Sequence, residues 1–345
     1  MRYLSPASIF KGTLPYPLDK KSIQLGRKRL LADLELSSGD TLDINGRPFT
    51  KSDIIDYFDQ LQQDDNTLWH NAIAEDKVLL VFLEKANVQN RQKFSDNPLY
   101  SDPEFINWIS PYFLTSFTEF AEACFRTNND DGLRTLLGNP LLMNDHHQEQ
   151  GWIFITKILT NSISYMTYQR DRVKKSIVPA SVIGDLSGIM GFGYISLILI
   201  LPEDRFGPLR DKYAMTMVQA SIYVFNRFPQ DRAWPVIWIE NAGTLAMSPD
   251  VKKEIADKLE EVNGITSRQT KQKSKTYYGH LIWVAVIAVK VLATCSLSSS
   301  SSYSTAPINF QPATNFQSIT DAKRDSILHL LQAGDTVRAR FKHKK

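Results

Sequence analysis

The sequence predicts a mainly α-helical protein: a multi-helix soluble body with a few short strands, followed by one C-terminal transmembrane helix. Three observations predict it. Apolar residues recur at intervals of three and four through most of the first 264 positions. Capping residues followed by Pro or an acidic side chain mark successive helix starts. Residues 280–297 form an apolar run carrying a single charge.

The elements follow in chain order. Leu18–Leu36 has helical spacing at Ile23, Leu30, Leu31 and Leu34, weakened at Gly26. TLDINGRPF, with the turn pair Asn45-Gly46, suits a short β-hairpin or an irregular loop. Thr50 caps a helix whose stripe is Ile54, Ile55, Phe58 and Leu61, with Asp53 in its first turn. Val78–Lys85 is an apolar run that periodicity leaves as helix or strand.

Asp102-Pro103-Glu104 starts another helix, and Ser110-Pro111 reads as a restart. Beyond it Phe113, Phe117, Phe120, Ala121 and Cys124 make the clearest core stripe of the chain. Gly138-Asn139-Pro140 breaks the pattern before a long helix over Gln148–Lys175. Val178–Leu201 is apolar with one charge, Asp185, but is diluted by four glycines and Pro179. It reads as a buried strand or helix of the body, or as a second membrane segment with Gly184 and Gly188 at a close helix contact. Helical spacing returns over Pro208–Phe228. Trp234–Glu240 reads as a short buried strand, and Ser248-Pro249-Asp250 opens an amphipathic helix that Asn263-Gly264 ends.

This divides the chain into an N-terminal helical region (1–100), a central helical region (101–264) holding the apolar segment at 178–201, a basic linker (265–279), the membrane helix (280–297), and a Ser-rich linker with a basic tail (298–345). Tyr277, Tyr278 and Trp283 gather at one end of the membrane segment, as interfacial aromatics do. Lys290 costs about 2.5–3.5 kcal/mol at a helix centre, which snorkelling and the surrounding Val, Ile and Ala offset. Four basic residues precede the segment in Ile265–Gly279 and no charge follows it as far as Pro312. That asymmetry places residues 1–279 in the cytoplasm and the tail outside.

A net charge of +3 with interspersed signs argues against a nucleic-acid partner. The two cysteines, Cys124 and Cys295, fit neither a disulfide framework nor a zinc ribbon. Asp145-His146-His147-Gln148-Glu149 gathers metal-type donors without a distant third ligand. Gly188, Gly191 and Gly193 lack the strand–loop–helix setting of a phosphate loop. Glu203-Asp204 pairs two carboxylates that diverge as sequence neighbours. No cofactor or metal is expected, and binding is favoured over catalysis. The expected function is a membrane-anchored scaffold or adaptor in an envelope-associated assembly, with protein partners or self-association and lipid contact through residues 280–297. Two alternatives stand beside it. One is an enzyme site assembled from distant segments, with His70, His146, His147, Glu203 and Asp204 as the first groups to test. The other is a channel or transporter subunit pairing Asp185 with Lys290 inside the membrane.

Overall fold

The computed structural model describes residues 2–10, 17–37, 39–44, 47–175 and 181–265. Its elements are α1 (Pro6–Ile9), α2 (Lys20–Leu36), β1 (Thr41–Ile44), β2 (Arg47–Thr50), α3 (Lys51–Leu61), α4 (Asp64–Glu75), α5 (Lys77–Lys85), α6 (Pro103–Thr127), α7 (Asp130–Leu137), α8 (Asp145–Lys174), α9 (Ser181–Met190), α10 (Phe192–Ile200), α11 (Glu203–Arg227) and α12 (Ala233–Leu245). A further helix, α13, covers residues 249–265. The fold is mostly helical, as expected. The chain divides into two units, Met1–Gln169 with Pro179–Tyr213, and Arg170–Val178 with Ala214–Lys345.

In the first unit, local chemistry explains the starts of the helices. Asp19 and Ser22 cap α2 reciprocally: the Ser22 N–H donates to Asp19 Oδ1 (2.6 Å) and the Asp19 N–H to Ser22 Oγ (2.9 Å). Thr50 and Asp53 do the same for α3. The hairpin forms as two antiparallel strands in the register Thr41↔Thr50 to Ile44↔Arg47. Gly26, a weak point by propensity, has a packing reason. A Cβ there would sit 2.5 Å from Phe10 Cζ, so glycine lets that ring lie against α2. Phe10 joins Ile9, Leu18, Ile23, Leu30, Ile54 and Phe58 in one buried cluster.

The ambiguous run at 78–85 is helix α5, because Asp76 Oδ1 caps it, accepting from the Val78 and Leu79 N–H groups. α6 runs unbroken through Pro111, where the sequence suggests a restart. Its buried residues Phe105, Ile109, Phe113, Phe117 and Cys124 keep one phase on both sides of the proline. Fully burying each such ring is worth roughly 1.5–3 kcal/mol, enough together to outweigh the ~3 kcal/mol cost of an interior proline. α8 starts at Asp145, three residues before the expected start at Gln148, since Asn144 Oδ1 accepts from the His147 N–H at 3.0 Å. Within Val178–Leu201, left open between strand and helix, residues 192–200 form α10, which packs on α7 and α6.

The second unit contains the end of α8, α11 from Ala214, α12 and α13. Arg170 Nη1 donates to Gln219 Oε1 at 2.6 Å. The strand expected at Trp234–Glu240 is corrected to the helix α12. Its buried residues Pro235, Trp238, Ile239, Ala242 and Leu245 follow a helical period that becomes visible only beyond Glu240. Pro235 falls in the first turn, where a missing N–H breaks no helical bond. Arg232 holds the start of α12, its Nε donating to the Phe225 carbonyl (3.2 Å) and its guanidinium lying 4.5 Å from the Phe225 ring centroid.

The predicted membrane helix at 280–297 and the tail beyond it lie outside the described residues. Among the described residues one helical stretch is long and apolar enough to cross a membrane. It is Ser181–Ile200, in mid-chain rather than at the C-terminus.

Candidate functional site

Three places in the first unit concentrate chemistry. The first is the Ser181–Ile200 stretch itself. It bends into α9 and α10 at Gly191, where a Cβ would lie 2.5 Å from the Ser187 carbonyl oxygen, a backbone atom that cannot step aside. Polar side chains then fasten its apolar length. Tyr194 OH and Ser162 Oγ share a hydrogen bond of 2.7 Å, and the Tyr194 ring packs on Phe125 and Tyr213. Tyr213 OH donates to the Ile189 carbonyl at 2.8 Å, and burial pushes its phenol well above the usual range. Arg210 is buried and donates from Nη2 to the Leu199 and Leu201 carbonyls at 3.0 and 2.6 Å. A cation at the carbonyl end of a helix meets the negative end of its dipole. Glu203, largely in solvent, lies 3.6 Å from the same guanidinium.

Of the residues singled out from sequence, Asp185 sits half-buried on α9, in this stretch. Trp283 and Lys290 lie outside the described residues, and so does any Asp185–Lys290 pair. Gly184 opens on space, with nothing within 4 Å of where a Cβ would be.

The second place surrounds His70 on α4. Its Nδ1 shares a hydrogen bond of 2.7 Å with Tyr3 OH, and its ring stacks on Tyr3 (centroids 5.5 Å) and meets Trp108 edge-on (5.1 Å). Tyr112 and Trp69 complete this aromatic nest, the first against Tyr3 and the second against Trp108. Burial pushes the His70 imidazole down to about 3, so it is neutral at ordinary pH. Burial likewise raises the Tyr112 phenol.

The third is Asp76, a buried carboxylate saturated by donors. Besides the two amides at Oδ1, its Oδ2 accepts from Ser95 N–H (2.7 Å), Ser95 Oγ (2.9 Å) and Tyr100 OH (2.8 Å). It organises the turn between α5 and α6 and leaves no lone pair for a ligand.

The other sequence candidates stay apart. His146 and His147 open α8, His147 Nδ1 lying 2.7 Å from its own cap Asn144 and His146 Nε2 3.0 Å from Gln150. Among the described residues no cluster of three His, Cys, Asp or Glu is arranged to hold a metal. Glu203 and Asp204 lie in the first turn of α11, and Arg205 pairs with Glu149. Cys124 is buried, its thiol pushed up to about 12. Sequence reading missed Tyr3, Asp76, Tyr194 and Arg210. Asp76 alone left a trace, as an acidic residue two positions before an apolar run. Comparison with protein-family models, with characterised proteins and with solved structures finds no match for this chain.

Proposed function

We propose that this chain is a membrane-anchored scaffold or adaptor, whose helical body is held at a bilayer by residues 280–297 and offers its surface to protein partners. The segment HLIWVAVIAVKVLATCSL, with one charge in eighteen residues and four basic residues just before it, carries the reading. The way Ser181–Ile200 is held supports it. Ser181–Ile200 is also long and apolar enough to cross a membrane, yet Ser162, Tyr213 and Arg210 of its own unit hydrogen-bond it, and it is partly buried. In this reading the lipid contact belongs to the C-terminal segment. In this reading residues 1–279 are cytoplasmic and the tail emerges on the other side.

Alkaline carbonate washing of membranes, with protease access tested from each side, checks the anchor and its direction. The full chain is expected in the pellet, with the tail cleaved only from the outer face. Release of the intact chain by carbonate overturns the anchor. Purification in mild detergent is expected to recover a stoichiometric partner or a defined oligomer, and a lone monomer contradicts the scaffold role.

A further inference from the structure

Residues 2–10 lie across the helices like a strap. Arg2 pairs with Glu119 of α6, Ser5 and Ser8 both donate to Glu84 of α5, and Tyr57 OH of α3 donates to the Leu4 carbonyl at 3.4 Å. Phe10 inserts beside Gly26 and Phe58. At the centre of these contacts Tyr3, only 3% exposed, lies over His70 and hydrogen-bonds its Nδ1.

We infer that the N-terminal segment is an acid-released latch: the Tyr3 ring is the cover that keeps His70 dry, so protonation of His70 and detachment of residues 2–10 are coupled. The rings on the imidazole are Tyr3 from the strap and Trp108 from α6, and Tyr112 of α6 packs on the Tyr3 ring. Burial of the ring is what lowers its proton affinity. With the latch closed, the ring resists protonation down to about 3. With the latch open, it meets water and regains its ordinary value of about 6.5. Between those limits only the open form binds the proton, so acid favours opening. The sign is fixed: closure is strongest above about pH 6.5 and weakens steadily as pH falls below it. The open fraction rises about tenfold from pH 7.5 to 5.5 and about a hundredfold from 7.5 to 4.5. The competing titratable groups on the strap's path are Glu84 and Glu119.

Hydrogen exchange on the full-length chain, corrected for the intrinsic pH dependence of exchange, reads this latch. The reporters are the amides of Ser8, Ile9 and Phe10, bonded to Ser5 Oγ, the Ser5 carbonyl and the Pro6 carbonyl at 3.1, 3.2 and 3.1 Å. Their protection should fall about tenfold between pH 7.5 and 5.5, while the amides of Phe117 and Phe120 in α6 hold theirs. His70→Gln should abolish the slope, and Glu84→Gln should keep it. Strap protection that is flat with pH overturns the latch. So does a parallel loss in α6, which means global unfolding, or a slope that disappears in Glu84→Gln. Should His70→Gln fail to fold, the wild-type profile and Glu84→Gln decide between these outcomes.

Discussion

Asp76 ties the start of α5 to the segment that follows it. Its two oxygens accept five hydrogen bonds, all from donors: the amides of Val78, Leu79 and Ser95, and the hydroxyls of Ser95 and Tyr100. An amide in its place turns an NH2 group toward one set of donors whichever way it rotates. Asp76→Asn is therefore expected to lose about 2–4 kcal/mol, the cost of a cap plus a buried donor left unpaired. Asp76→Ala should lose no less, and urea unfolding at neutral pH measures both. His70 is the counterpart, a buried base kept neutral by its aromatic cover rather than by a charged neighbour. Neither residue stands out in the sequence. An aspartate before an apolar run and a lone histidine on a helix are common, and the partners that bury them include Ser95, 19 positions from Asp76, and Tyr3, 67 positions from His70.

At the level of elements, propensity and periodicity explain most helices, and the exceptions have definable causes. Pro111 sits inside α6 because the aromatic stripe stays in phase across it. α12 formed where a strand was expected because its period extends to Leu245 while a window ending at Glu240 shows only an apolar run. α10 depends most on distant groups. It has apolar residues almost all round, and its C-terminal carbonyls are met by a buried guanidinium that arrives from α11. Arg210→Met keeps the bulk and removes the donors. It is expected to cost about 2–3 kcal/mol, typical of buried hydrogen bonds to a charged group. Arg210→Lys should recover only part of the loss, since a point ammonium does not reproduce a planar fork serving two carbonyls. Thermal unfolding of the two variants beside the parent checks the order.

For the whole molecule, the described residues bury cores of their own, from Ile9, Ile23 and Phe58 through Phe113 and Phe117 to Trp238 and Ile239. Deleting residues 280–297 is expected to leave the helical circular dichroism signal and unfolding midpoint of the body unchanged while abolishing membrane association. Collapse of the body on deletion would assign the segment to the protein interior and remove the anchor. The sequence by itself determined that the chain is helical, where most helices start, and which faces are apolar. These properties depend on neighbours within one or two turns: caps, prolines, and side chains three or four residues apart. Tertiary structure alone decided the bend and burial of Ser181–Ile200, the cover over His70 and the donors around Asp76. Each of these depends on groups brought together from distant parts of the chain, and a buried polar atom is stable only once those partners arrive.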